Sequence, residues 1–252
     1  MAARRLGSRF HYFREIDSTN SYARRLAVAG AVEGEIVVAE EQSAGRGRLG
    51  RSWFSPPFLN LYFSVLLRPN LPPTDAAQLT LMAGVALTDA IGTFARAAPV
   101  IKWPNDILID GKKIAGVLTE SSCNLDTVEF VVLGIGINVN CTRDLLPQIL
   151  RDRATSLLMI NGDPVSREDL FCGLIHGLDR CYGILEERGF GAIAREWEAR
   201  FGLRGRLVRV DAGDQMLTGY ARGIDRDGAL IVERKNGTVQ RIIAGDVVPV
   251  QD

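Results

Sequence analysis

Lysine is rare in this chain and concentrated in one place. Three of its four lysines, Lys102, Lys112 and Lys113, fall within twelve residues, and only Lys235 lies elsewhere. Arginine supplies the positive charge otherwise. A guanidinium is a planar fork, whereas an ammonium is a compact charge on a flexible stem that can follow a phosphate or carboxylate as its charge moves. The window reads Lys-Trp-Pro-Asn-Asp (102–106), Ile-Leu-Ile-Asp-Gly, then Lys-Lys-Ile-Ala-Gly (112–116). A hairpin with a charged turn explains the same residues without any chemistry.

A second cluster is Gly45-Arg46-Gly47-Arg48-Leu49-Gly50-Arg51. Its glycines let backbone approach a ligand closely, and its arginines are forked donors suited to phosphate or carboxylate. The loop has no apolar anchor and its charges repel, so it is expected to be mobile when empty and to order over an anion. A solvated turn is the plain alternative. It is not a P-loop, because Gly-Lys-Ser/Thr is missing, and Gly134-x-Gly136 lacks the third glycine of a dinucleotide fingerprint. Trp53, after the loop, is a candidate stacking face for a flat ring; Trp103 reads as core. Ser18 and Thr19 serve as helix caps, and Gln42 closes a strand where it could face a pocket. Neutral polar groups at one end and cations at the other suit a ligand with a neutral polar head and a carboxylate tail, activated by a nucleotide.

These residues need a scaffold. The pattern predicts a helix over 18–29 with Tyr22, Leu26 and Ala29 inward and Gly30 ending it, and strands over 36–41 and 60–67. The clearest helix is 75–97, with Leu79, Met82, Ala83, Ala86, Leu87, Ala90, Ile91 and Phe94 as one stripe. Strands follow at 100–103, 107–110, 114–120 and 128–140, the second and third joined by a turn at Asp110-Gly111-Lys112. Ser166, with Asp169 as capping-box partner, opens a long helix lined by Phe171, Leu174, Ile175, Leu178, Tyr182 and Leu185 and broken by Gly189. A shorter helix carries Ile193, Trp197 and Phe201. Residues 203–250 alternate in short runs cut by turn residues, the pattern of a small β-barrel. The expected domains are therefore 1–202 and 203–252.

Length allows one large core and a small companion. Net charge is zero, so any anion site must be local. No apolar run reaches the ~18 residues of a membrane span, and the start lacks the apolar stretch of a secretory signal. The four cysteines show no C-x-x-C spacing and the two histidines are far apart, so neither a zinc site nor a disulfide framework is visible. The expected compartment is the reducing cytoplasm.

Glu15-x-Asp17-Ser18-Thr19-Asn20, Gln42-x-x-Gly45-Arg46-Gly47-Arg48-x-Gly50-Arg51-x-Trp53, Lys102-Trp-Pro-Asn-Asp106, Lys113-x-Ala-Gly116, Gly134-x-Gly136-x-Asn138 and Ala154-Thr155-Ser156-Leu157 together resemble the biotin–protein ligases in order and spacing. The resemblance covers residues 12–200 well, and the trailing barrel fits. It implies an α+β fold with a mixed, mainly antiparallel sheet flanked by helices, as in class II aminoacyl-tRNA synthetases, and an SH3-like C-terminal barrel. It implies that ATP with Mg²⁺ activates biotin to biotinyl-5′-AMP, which then modifies one lysine of a biotin carboxyl carrier domain. On this resemblance Ser18, Thr19 and Gln42 would hold the ureido ring, and Asn20 would be a further binding residue. Arg46 and Arg48, with Gly45 and Gly47, would order over the biotin tail and phosphates, and Arg51 would meet phosphate. Trp53 would pack by the adenine, with Gly116 and Asn138 near the nucleotide. Lys113 would stabilise charge in the transition state and Lys102 would be a second cation. Asp106 is a candidate proton acceptor or a plain turn carboxylate; metal ligands are unassigned. Only about ten residues precede the first strand-like segment, too few for the helix-turn-helix that some members carry, so no DNA partner is expected. Oligomeric state stays open between monomer and homodimer. A lipoate or octanoate ligase of related fold, or a non-catalytic biotin-binding module, are the competing readings.

Overall fold

A computed structural model describes residues 5–213 and 215–250. Residues 1–4, and with them part of the start read above as lacking a signal, lie outside it, as do the last two residues of the barrel segment. The chain runs β1 (Arg9–Ile16), α1 (Thr19–Val28), β2 (Glu35–Gln42), β3 (Leu61–Leu67), α2 (Ala77–Gly92), β4 (Val100–Lys102), β5 (Asp106–Ile109), β6 (Lys112–Cys123), β7 (Val128–Ile137), α3 (Leu157–Asn161), α4 (Arg167–Arg188) and α5 (Phe190–Ala199). Then come β8 (Leu207–Asp211), β9 (Met216–Ile224), β10 (Leu230–Glu233), β11 (Val239–Ile242) and β12 (Asp246–Pro249).

Seven strands form one sheet in the order β1-β2-β3-β7-β6-β5-β4. Only β1 and β2 pair in parallel; every other neighbour is antiparallel. This is the mixed, mainly antiparallel sheet that the family resemblance implies. The last five strands make a separate antiparallel sheet, β11-β10-β9-β8-β12, in keeping with the small SH3-like barrel.

Two helical layers cover the large sheet unequally. On one face lies α2, packed against β4, β5 and β6 and covered in turn by α4 and α5. Its position explains its composition: twelve of its sixteen residues are buried, so the helix is apolar nearly all round. The other face carries α1, whose Ala23 and Ala27 meet Val37, Leu66, Phe130 and Val132 in a smaller core. Beyond the N-terminus of α1 this face is open, and the cleft lies there.

Local chemistry accounts for most element ends. Ser18 caps α1, Ser166 caps α4 through the Asp169 N–H, and Gly189 leaves α4 at φ +71°. Asp110 and Gly111 both adopt positive φ, 50° and 75°, as a two-residue hairpin turn requires. Some expectations fail. Ala29 is the exposed C-cap of α1 and does not face inward; the buried residues are Thr19, Asn20, Ala23 and Ala27. Helix 75–97 shortens to Ala77–Gly92, because Pro73–Asp75 form a 3-10 turn and the Thr93 hydroxyl bonds back to the Ala90 carbonyl.

The barrel is not an appendage on a tether. Val208, Val210, Leu217, Ala221, Leu230, Val232 and Val247 belong to the same apolar cluster as the large domain. The buried Trp103 indole donates to the Gly228 carbonyl at 3.1 Å, and Glu198 of α5 accepts from the Ile224 N–H.

Candidate active site

The cleft floor follows from strand alternation. Side chains two apart share a face, so Gly116, Leu118 and Glu120 of β6 point toward α1. Their partners across the register, Gly136, Gly134 and Val132 of β7, do the same, and Ser64 of β3 pairs with Gly134. The floor is small because the residues above it are large. A Cβ on Gly134 would lie 1.9 Å from Asn20 Oδ1, and one on Gly136 would lie 2.4 Å from the Trp53 ring. Gly116 would meet both Lys113 and Trp53 at about 3 Å. The Gly134-x-Gly136 pair is thus a seat for two side chains, with no dinucleotide role.

The cleft encloses about 450 Å³ including its mouth and is lined by Ser18, Thr19, Asn20, Gln42, Arg46, Gly47, Arg48, Trp53, Lys113 and Gly116 of the expected residues. Asn105, Val117, Leu118, Gly134, Ile135 and Gly136 complete it. Four expected residues stand outside this lining. Gly45 underlies the loop, where a Cβ would meet the Trp53 carbonyl at 2.6 Å. Arg51 turns to the barrel, and Lys102 sits beside Asp106. Asn138 is buried and donates to the Thr155 carbonyl at 3.0 Å.

At the neutral end a relay of hydrogen bonds fixes each group. The Ser64 hydroxyl lies 2.8 Å from Thr19 Oγ1 and 2.6 Å from Asn20 Oδ1. The Thr19 hydroxyl and N–H donate to Gln42 Oε1 at 3.1 and 2.9 Å. Gln42 Nε2 donates to Ser55, which donates to the Trp53 carbonyl. Nearby, burial pushes the Tyr62 phenol far above its usual range, so it stays a neutral donor to the Pro56 carbonyl.

At the cationic end five basic side chains share three carboxylates, Glu120, Asp106 and Asp246. Arg46 Nη2 meets Glu120 at 2.8 Å, and Arg51 pairs with Asp246 of β12. Lys113 Nζ lies 2.6 Å from Asp106 Oδ1, with Lys102 Nζ 3.5 Å from the other oxygen. The Lys113 contact is close but misaligned, and that oxygen has no directed hydrogen bond. Arg48 differs. It donates to neutral Asn105 at 3.1 Å, and its nearest carboxylate among the described residues, Asp246, is 4.0 Å away. The loop, which has no apolar anchor, is held instead through polar contacts of three of its own arginines. Trp53 lies over the glycine floor with Lys113 Nζ 5.1 Å from its ring centroid, and its buried Nε1 has no partner.

The sequence reading missed Glu120 and Asp246. Alternation from Gly116 places Glu120 on the cleft face, so a signal existed for it. None existed for Asp246, whose partner is 195 residues away.

A sheet that seats a glycine/arginine loop and a lysine hairpin around one cleft, with neutral donors and acceptors at the far end, defines a carboxylate-activating ligase. Residues 12–138 match the biotin/lipoate A/B protein ligase family, and residues 205–248 match the biotin protein ligase C terminal domain. The chain is 38% identical to the bifunctional ligase/repressor BirA of Bacillus spizizenii over 96% of its own length and 74% of that protein. It is 37% identical to the biotin–[acetyl-CoA-carboxylase] ligase of Paracoccus denitrificans over 88% and 92%. The biotin protein ligase of Aquifex aeolicus in complex with biotin and ATP superposes with a TM-score of 0.82 at 30% identity, covering 97% of this chain and all of that one. The chain belongs to the biotin/lipoate A/B protein ligase family.

Proposed function

We infer that the chain is a biotin–protein ligase that activates biotin with ATP and transfers it to a lysine of a carboxylase carrier domain. Its relatives of that name and the neighbouring complex with biotin and ATP support the reading. The observation that carries it is the polarity of one cleft, with Thr19 and Gln42 at one end and Arg48 and Lys113 at the other.

In the first step a biotin carboxylate oxygen attacks the α-phosphorus of ATP. The α–β P–O bond breaks, and pyrophosphate leaves. Negative charge grows on the phosphoryl oxygens, and Lys113 is the flexible cation within reach. To meet that charge it exchanges Asp106 for substrate, and its poorly aligned pairing makes the exchange easy. Asp106, between two ammonium groups, acts as the counter-ion that holds Lys113 ready. Arg48, lacking a close carboxylate, receives the phosphate end, and Trp53 offers its ring to the adenine. In the second step the carrier lysine amine attacks the anhydride carbonyl. An amide forms, AMP leaves, and the proton shed by the amine passes to solvent water.

No group of three acidic, histidine or cysteine side chains among the described residues is spaced to hold a metal. Magnesium fits as an ion carried in on the phosphates of ATP, since it keeps waters and needs few protein ligands. The partner is a carrier domain presenting one lysine, and the compartment is the cytoplasm. No helix among the described residues is long and apolar enough to cross a membrane, and all four cysteines are free. We assign residues 1–202 to the catalytic domain and 203–252 to the barrel.

The test is biotin-dependent exchange of labelled pyrophosphate into ATP. Exchange with biotin and none with lipoate is expected. Exchange that follows lipoate, or binding of biotin with no exchange, would overturn the reading in favour of a lipoate ligase or a passive binding module.

A further inference from the structure

One carboxylate joins two parts of the cleft that the sequence keeps far apart. Glu120 lies on the cleft face of β6, beyond Gly116 and Leu118. Its Oε2 accepts from Asn20 Nδ2 at 2.8 Å, and its Oε1 accepts from Arg46 Nη2 at 2.8 Å. Asn20 and Arg46 both line the cleft.

Asn20 is fully committed by this arrangement. Its two N–H bonds go to Glu120 and to the Leu118 carbonyl, and its oxygen accepts from Ser64. Reversing the amide would set its oxygen against a carboxylate and a carbonyl together, so Glu120 and Leu118 dictate the orientation. Asn20 therefore shapes the neutral end and has no N–H left for a ligand. Arg46 is tethered but keeps free donors, since Glu120 takes one of its five N–H groups. Its guanidinium faces Glu120 while its backbone bridges to Ser52, closing the base of the glycine/arginine loop. Glu120 thus ties Arg46, at the base of the loop, to Asn20 at the neutral end.

We propose that Glu120 is a positioning residue that locks Asn20 and Arg46 into one arrangement and so couples enclosure of the biotin ring to seating of the loop. The proposal rests on the assignment of the neutral end to that ring. The Glu120–Arg46 pair is partly exposed, with the arginine side chain 49% accessible, so it adds little to stability. Its effect falls on the site.

Glu120→Gln separates the two links. A glutamine carries one acceptor and one N–H donor, so either Asn20 or Arg46 must face a donor instead. The expected result is a biotin Kd without nucleotide weakened about tenfold or more, and a matching rise in escape of the adenylate. The KM for ATP at saturating biotin stays near wild type, which a general loosening of the fold would not allow. Arg46→Ala, a loop variant that cannot unfold the sheet, should give the same biotin-side loss. The double variant should add nothing, as residues acting through one contact do. A biotin Kd within about twofold of wild type, multiplicative losses, or a loss carried by the ATP KM would each overturn the proposal. Pyrophosphate exchange by the wild type is measured in parallel, so failure of the ligase reading is told apart from failure of this one.

Discussion

Lys113 Nζ lies 2.6 Å from Asp106 Oδ1, and the register of the hairpin puts it there: Asp106 opens β5 opposite Gly116, and a register shift follows between Ile107 and Leu108. Each group sits at or next to the first residue of its strand. The ammonium can therefore swing from carboxylate to substrate without moving the backbone.

Lys113→Ala should abolish adenylate formation and leave the fold intact, since the side chain is partly exposed and packs little. The loss should fall on the chemical step more than on biotin affinity. Single-turnover adenylate synthesis measures it, and a variant within about tenfold of wild type (~1.4 kcal/mol of barrier) would refute the role. Lys113→Arg should also be poor, because a fork cannot follow the moving charge.

Arg48→Gly tests the one lining arginine without a close carboxylate. Removing it should leave adenylate synthesis measurable but let activated biotin escape, so that exposed lysines of bystander proteins are labelled. Biotinylation of a protein with no carrier domain is the readout. Unchanged bystander labelling with adenylate still made would exclude a retaining role.

Asp246→Ala probes what the barrel contributes. Asp246 ties Arg51 and stands 4.0 Å from Arg48. An exposed pair of this kind is worth ~0–1 kcal/mol, so the KM for ATP should rise up to about fivefold with biotin binding unchanged. Removing all of 203–252 is a harsher experiment. It strips the Gly228 acceptor from the buried Trp103 indole, and an unpaired buried donor costs ~1–3 kcal/mol. Truncation should lower the melting temperature, whereas Asp246→Ala should not.

How much of this was readable in advance depends on range. Caps, turns and stripes are local, and Ser18, Ser166, Gly189 and the Asp110–Gly111 turn stand where the sequence places them. Ends that depend on a competing turn, as in the shortened α2, were misjudged. The short helix α3 escaped notice because five residues give no period to detect. Strand β1 showed only as a strand-like start, and its parallel pairing with β2 has no local mark. The cationic residues were legible by type, but their partners were not. Arg46 and Glu120 are 74 residues apart, and only the sheet register brings them together. The Gly134-x-Gly136 pair was rejected as a dinucleotide fingerprint and kept only as part of a family motif. Its meaning lay in the large side chains above it, which a motif cannot display.

Gly136→Ala tests that last point and the place of Trp53 together. The added methyl would sit 2.4 Å from Cε2, 2.6 Å from Nε1 and 2.7 Å from Cζ2 of the indole. A rigid bicyclic ring cannot yield by bending, so it must leave the floor. Gly136 lies in β7 without a positive φ, so alanine strains the packing above the strand and not the strand itself. The chain has three tryptophans. Trp103 and Trp197 are fully buried on other elements, so a red shift in emission reports Trp53 alone. The expected outcome is a red-shifted spectrum, a near-normal melting temperature and adenylate synthesis reduced about tenfold or more. Gly173→Ala on α4, where an added Cβ meets nothing within 4 Å, is the control and should gain up to ~1 kcal/mol in helix stability with activity unchanged. Full adenylate synthesis in Gly136→Ala, with the emission shift present, would show that the indole's seat on the glycine floor is not needed for the reaction.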